Sequence, residues 1–274
     1  MWALAKNRYA IAIASCCVGC LLFLSSTYTS SLPGKKYKFD IAIATACMEH
    51  PNDRWNAHVE NYQNLTTANH IKYARAHGYT YRILAAPYNT SVDPRCFKAR
   101  HIREVLDEGF SWVFWTDCDT LFMDFSKPLD AYLMDSISAK PDVAVVISGD
   151  KNCAMNMGQM FVRNTTWTNE MLRFVENYCP HGWLCNKYPP NLDQDFFAYF
   201  VWKDCVVHMS NAWHKSDCEA IVEKSIFKRE IACQEMVTHS KQYWWDKFTG
   251  RLFRMHFAGQ QETKEAKIRK YYPQ

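Results

Sequence analysis

Short apolar runs alternate with longer helical patterns along most of this chain, and that alternation limits the fold more than any other feature. The run "KFDIAIATAC" (38–47) reads as a buried strand, followed by a helical pattern over 54–79 that Gly78 closes. "TYRILAA" is a second strand. A turn at Asp93 and Pro94 leads into the helix "CFKARHIREVLDEG", ended by Gly109. The strand "SWVFWT" follows, then a short helix near "PLDAYLMDS" and the strands "DVAVVIS" and "GQMFVRN". Two further helices are predicted over "TTWTNEMLRFVENY" and "NLDQDFFAYFVW", the second with Asn191 as its cap. Strands interleaved with helices predict an α/β domain, Rossmann-like, with a mainly parallel, doubly wound sheet flanked by helices. The basic tail from Thr263 is expected to be a solvated helix.

Two acidic residues stand at the end of the most apolar strand, in "SWVFWTDCDTLF". Residues i and i+2 of a strand share a side, so Asp117 and Asp119 are expected to project together while Cys118 turns away. Left unpaired, such carboxylates are costly, and a divalent cation offsets both their desolvation and their repulsion. Ligands of open sheets bind beyond the carboxyl ends of the strands, where this pair emerges. A hard cation such as Mn²⁺ or Mg²⁺ takes one or two protein carboxylates and completes its shell with phosphate oxygens and water. The plainer alternative is a pair of strand-end residues that cap a turn.

The same D-x-D-x-T fits the opening motif of haloacid dehalogenase-type phosphatases, with Asp117 as nucleophile and Asp119 as general acid. That motif lies on the first strand of its domain, whereas here strand, helix, strand and helix precede it. Asp150, in "SGDKNCAMN", stands without a second acid nearby.

The N-terminus bears on the compartment. No charged residue occurs from Tyr9 to Gly34, and Lys6 and Arg8 precede the apolar run. This reads as a cytoplasmic tail (1–8), a signal-anchor transmembrane helix (9–28), a short stem (29–37) and a luminal domain (38–274), the apolar run reaching the ~20 residues that span a bilayer. A cleaved signal peptide is the competing reading. Of twelve cysteines, Cys16, Cys17 and Cys20 lie in the apolar segment, as lipid-facing residues or palmitoylation sites. The other nine suit an oxidising compartment, with Cys179 and Cys185, flanking "PHGWL", as the best local pair. Asn64, Asn89 and Asn164 head N-x-[ST] sequons and are candidate glycosylation sites. A net charge of +4 with scattered basic residues gives no footprint for nucleic acid.

Four stretches together resemble the GT-A nucleotide-sugar glycosyltransferases, most closely the family of plant xyloglucan xylosyltransferases and fungal galactosyl- and mannosyltransferases (glycosyltransferase family 34). "CFKARHIREVL" is similar to the family's Lys-containing helix, and "WVFWTDCDTLF" to its W-x-x-W-x-D-x-D-A-L-F strand. "NMGQMFVRNTTWTNEML" is similar to its N-x-G-x-F-x-x-R-N-x-x-W segment, and "LDQDFFAYF" and "MHFAG" to its D-Q helix and H-F-x-G signature. The match runs from about residue 38 to 260.

The resemblance implies a GT-A fold and a metal-dependent, retaining enzyme, single-pass and type II in the Golgi or endoplasmic reticulum membrane. It would move a hexose or pentose from a nucleotide-diphosphate sugar, expected to be UDP-linked, to a glycan or glycoprotein acceptor. Asp117 and Asp119 would engage Mn²⁺ (or Mg²⁺) and the donor, with Cys118 in the same donor-binding stretch and His256 as a further metal ligand. A lone His beside Phe257 otherwise reads as a packed structural residue. Asn156 and Gly158 would lie at the sugar, and Asp193 and Gln194 beside the anomeric carbon, where a carboxylate or amide stabilises oxocarbenium-like charge. Asp193 as a helix cap is the structural alternative. Ala44 and Thr45 would approach the nucleotide through their backbone. Lys98 would meet phosphate or a sugar hydroxyl, although a lysine at a helix edge is ordinarily solvated. Trp244 and Trp245 read as core packing or an acceptor platform. The chain departs from the family at "HFAGQQ", where Gln260 and Gln261 replace Cys-Lys and leave Lys264 to reach in, and at Leu192, where plant members carry Asp. A fold of this kind that binds carbohydrate without turnover is the alternative to an enzyme.

Overall fold

The computed structural model describes residues 39–48, 59–84, 93–149, 155–181, 193–202, 215–234, 236, 238–239, 254–256 and 261–271. Its core is a six-stranded sheet. β1 (Ile41–Ala46) leads through a 3₁₀ turn into α1 (Gln63–His77), which stops where Gly78 takes the left-handed conformation at φ 74°. Glycine reaches that region without a Cβ penalty, so the predicted closure at this residue has a clear physical basis. β2 (Thr80–Leu84), α2 (Phe97–Asp107), β3 (Trp112–Thr116), β4 (Thr120–Phe122), α3 (Leu129–Ala139), β5 (Val145–Ser148) and β6 (Asn156–Arg163) follow. Then come α4 (Thr166–Tyr178), α5 (Asp193–Trp202), α6 (Lys215–Val222), β7 (Ile231–Cys233), β8 (Thr238–His239), β9 (Arg254–His256) and α7 (Gln261–Tyr271).

Strand order is β2-β1-β3-β6-β5-β7. The β1/β2, β1/β3 and β5/β7 pairs are parallel, whereas β6 runs antiparallel to both β3 and β5. The sheet is therefore mixed rather than mainly parallel. The reason lies in the link from β5 to β6, which contains no described helix and is too short for the crossover that parallel neighbours need. All five residues of β3 are buried, so it sits at the centre of a three-layer stack. On one face Phe114, Phe161 and Val146 pack with Tyr73 of α1 and Leu133 of α3. On the other, Val113, Trp115 and Met160 pack with Ile102 and Leu106 of α2, Leu172 of α4 and Phe197 of α5. Each fully buried side chain of this size contributes about 1.5–3 kcal/mol.

A second, small sheet has the order β4-β9-β8, and it pairs Thr120 on β4 with His256 on β9. Beside it, the C-terminal helix α7 is docked, contrary to the solvated helix expected: Ile268 is 0% exposed and packs with Val59, Tyr62, Leu65 and Leu121. One inward residue among many charges produces almost no amphipathic signal, which is why the pattern read as surface. The disulfide expectation also changes. Cys179 bonds to Cys96, joining the end of α4 to the start of α2, and not to Cys185, which lies outside the described residues. Cys47 bonds to Cys118, and Cys218 to Cys233.

Among the described residues no helix is long and apolar enough to cross a membrane. The anchor expected at 9–28 and the stem at 29–37 lie outside them, as do Asn89, Asp150, Asn191, Trp244 and Trp245. Asn64 is exposed on α1, while the Asn164 amide nitrogen donates to Leu106 O at 3.1 Å. Replacing Ile268 by Ala is expected to lower unfolding free energy by about 2–5 kcal/mol, the usual result of truncating a buried Ile. Urea denaturation of the two chains measures it, and a change near zero would show α7 to be undocked.

Candidate active site

The carboxyl end of β3 gathers side chains from three distant parts of the chain. Ala99, Ile102 and Leu106 turn one face of α2 into the sheet, and Lys98, in the first turn of the same helix, is carried inward with them to 6% exposure. Its Nζ lies 3.2 Å from Asp117 Oδ1 and 2.6 Å from Asp193 Oδ2, donates to Met157 O at 3.0 Å, and stands 5.6 Å from the Trp115 ring centre. Burial disfavours the ammonium, but the two carboxylates outweigh it and hold the Lys98 pKa above the usual lysine value. Burial also pushes the Asp193 carboxyl up, and Asp117 adds to that push against the pull of Lys98. Lys98 is thus a buried counter-ion and not the solvated helix-edge residue that its position suggests.

The two aspartates do not lie within a strand. β3 ends at Thr116, and Cys118 and Asp119 form a turn before β4. Cys118 does turn away, into its bond with Cys47. Asp117 keeps 29% of its side chain exposed; its Oδ1 accepts from Trp115 Nε1 at 2.8 Å and its N–H donates to Gly158 O at 2.8 Å. Asp119 is deeper, at 11%, with Oδ2 2.7 Å from Lys264 Nζ on α7. The pair therefore meets two separate ammonium groups, one from α2 and one from α7.

Two family models match the sequence. The galactosyl transferase GMA12/MNN10 family covers residues 38–141, and the nucleotide-diphospho-sugar transferase family covers 96–270, more than half of the chain. The chain belongs to the nucleotide-diphospho-sugar transferase family. No curated protein matches the transferase. A solved glycosyltransferase involved in the glycosylation of the major capsid of PBCV-1 superposes with a TM-score of 0.55 at 13% identity, covering 84% of this chain and 98% of that one. That likeness shows the fold, an α/β mixed sheet of the GT-A type with flanking helices. The galactosyltransferase LgtC, solved with donor and acceptor sugar analogs, gives 0.41 at 12% identity over 85% of this chain and 94% of that one, too loose a likeness to carry an argument. With the family shown, the phosphatase reading of Asp117 is set aside.

In the transferase, Asn156, Met157 and Gly158 wrap the Lys98–Asp117 pair. Asn156 Oδ1 accepts from Gly158 N at 2.8 Å, the Met157 carbonyl meets Lys98 and the Gly158 carbonyl meets Asp117. Asp193 is the first residue of α5 and 3% exposed; neighbouring Gln194 leaves Oε1 buried without a hydrogen bond. Ala44, paired with Trp115, and Thr45 lie in the second half of β1 and are fully buried, with Thr45 Oγ1 also unbonded. The main chain of His256 lies opposite Thr120, one residue from Asp119. Among the described residues no group of three His, Cys, Asp or Glu is placed to hold a metal.

Sequence reasoning missed Asn69 and His70, both 0% exposed on α1. Asn69 brackets Phe122, its Nδ2 donating to Phe122 O at 3.0 Å and its Oδ1 accepting from Phe122 N at 2.7 Å. His70 Nε2 lies 2.9 Å from Thr120 O, and Thr120 Oγ1 donates back to Asp117 O at 2.8 Å. These bonds fasten the stretch after the aspartates to α1. Nothing local marks the two residues, because a polar pair on a helix is ordinarily exposed.

Replacing Lys98 by Met leaves Asp193 buried without its counter-ion, and is expected to cost roughly 3–5 kcal/mol. The double variant K98M/D193L should recover much of that loss, as measured by denaturant unfolding. Equal instability in both would mean that the charges are not the cause. In the native chain the contribution of Lys98 is present below the ordinary lysine pKa and is lost as pH rises through its elevated folded value.

Proposed function

We propose that this transferase moves a hexose or pentose from a nucleotide-diphosphate sugar, UDP-linked, to a hydroxyl of a glycan or glycoprotein, using a divalent cation held at Asp117 and Asp119. One observation carries the reading: a carboxylate left partly open at the carboxyl end of the central strand, tied through a single buried lysine to a second carboxylate at the start of α5. Ligands of open α/β sheets bind at such strand ends.

The residues present fit Mn²⁺ or Mg²⁺. Both aspartates offer oxygen donors; Asp117 keeps 29% of its side chain open to solvent, and a cation at Asp119 would take or share the place that Lys264 holds. Such a cation, when bound, would neutralise the diphosphate of the donor. His256, whose backbone is registered beside the turn, is the proposed third ligand. Lys98 holds Asp117 and Asp193 in fixed relation, so the proposed cation ligand and the proposed reacting carboxylate are set together. Asp193 and Gln194 are the residues we assign to stabilising charge on the sugar ring, with retention of anomeric configuration.

The placement we propose is a single-pass type II protein of the Golgi or endoplasmic reticulum membrane, anchored through 9–28 with the catalytic domain luminal. Three disulfides among the described residues support an oxidising compartment.

The test is nucleotide release by purified protein over a panel of UDP- and GDP-sugars with and without Mn²⁺. Asp117→Asn is expected to lower Mn²⁺-dependent release by about 100-fold or more while the thermal transition remains cooperative. Asp119→Asn should match that loss and also lower the melting temperature, since Lys264 is then buried without its carboxylate. Release unaffected by either change would exclude the metal role. Glycan binding with no release from any donor would leave a carbohydrate-binding protein of transferase fold.

A further inference from the structure

β1 and β3 are parallel neighbours, with Ala44 opposite Trp115. Counting three residues onward from each gives Cys47 and Cys118, which are joined by a disulfide with their Cα atoms 5.1 Å apart. That is close to the ~4.8 Å spacing of paired strands. The covalent bond therefore continues the β1/β3 register past the last backbone pair, into the turn that carries the two aspartates.

Cys118 is the middle residue of that turn, and it faces opposite to its neighbours. Its side chain is buried with Tyr62 and Leu65 at the start of α1 and Ile268 of α7. Asp117 and Asp119 are directed to Lys98 and Lys264. The flanks of the turn have other fastenings: Asp117 N–H donates to Gly158 O on one side, and His70 and Asn69 hold Thr120 and Phe122 on the other. At its apex Thr66 Oγ1 contacts Cys118 Sγ at 3.8 Å and Lys264 pairs with Asp119, and the bond to Cys47 is the covalent fastening.

We propose that the Cys47–Cys118 disulfide is a positioning element of the transferase site: it pins the apex of the turn to the end of β1, so that Asp117 and Asp119 keep the spacing that a divalent cation and a diphosphate require. This rests on the cation role proposed above. The bond touches neither cation nor substrate; it acts through the two carboxylates on either side of residue 118. Without it the turn keeps its flanking bonds and the Asp119–Lys264 ion pair, but the backbone of residue 118 loses its covalent tie to β1 and the spacing of the two carboxylates is less well fixed. Preorganised ligands bind more tightly because less ordering is left to do on binding.

The test compares full-length wild type with C47S/C118S and with a control, C218S/C233S, whose disulfide joins α6 to β7 away from the turn. Two readouts are taken well below each melting temperature: Mn²⁺ affinity by electron paramagnetic resonance, and amide hydrogen exchange across residues 112–122. Loss of the Cys47–Cys118 bond should weaken Mn²⁺ binding about tenfold, as loss of other supporting groups around metal ligands does. It should also speed exchange at 117–119 while Trp112–Thr116 stays protected. The control should keep its Mn²⁺ affinity within about twofold of wild type, as expected for independent sites. Native affinity and native exchange at 117–119 in C47S/C118S would overturn the proposal. If wild type itself binds no Mn²⁺, the cation role fails, and with it the functional half of this proposal, while unchanged exchange would refute the clamp as well. Should C47S/C118S not fold, folded wild type treated with graded reductant gives the same two readouts, with alkylation and mass spectrometry reporting which cysteines opened.

Discussion

A buried ammonium is the constraint on which this structure turns. Lys98 belongs to a helix whose inner face is apolar apart from itself and His101, and withdrawing its charge from water is tolerable only because Asp117 and Asp193 come to meet it. Those two residues lie at the end of β3 and the start of α5, widely separated in sequence. One cation thus decides how closely three elements approach, and it does so at the carboxyl end of the central strand. The surrounding apolar layers supply most of the stability, but oily contacts tolerate small sliding, whereas three oxygen partners around one nitrogen do not.

Much of the fold was legible because the strand and helix patterns are strong and locally consistent. Residues 41–46, 80–84 and 112–116 are strands, and 97–107 and 166–178 are helices, close to the boundaries expected from periodicity; within the stretch 54–79 read as one helix, Val59–Asn61 is a 3₁₀ turn and the α-helix begins at Gln63. The direction of β6 was not legible, since strand direction is a property of connections and not of composition. Nor was the docking of α7, which rests on Ile268 and on the aliphatic reach of Lys264, a residue type that usually signals solvent.

The candidate site divides in the same way. Asp117 and Asp119 stand out because charge at the end of an apolar run demands a reason, even though the turn they occupy is not the strand that the alternation argument assumed. Lys98 carried a local signal that pointed the wrong way, since a lysine in the first turn of a helix reads as exposed. Asn69, His70 and the bond between Cys47 and Cys118 have no signal at all until the turn is seen in space: their role is to hold backbone and apex, and only position reveals that.

The ion pair between Asp119 and Lys264 has a consequence for how a metal would arrive. The chain already supplies a positive charge at that carboxylate, from a helix near its far end. Entry of the proposed divalent ion would then be a substitution and not a simple addition: the incoming charge would inherit a seat that an ammonium must vacate or share. Were the proposed cation to take that seat, Lys264 would give up or share the carboxylate, and the helix that carries it would respond to the occupancy of a turn more than a hundred residues upstream.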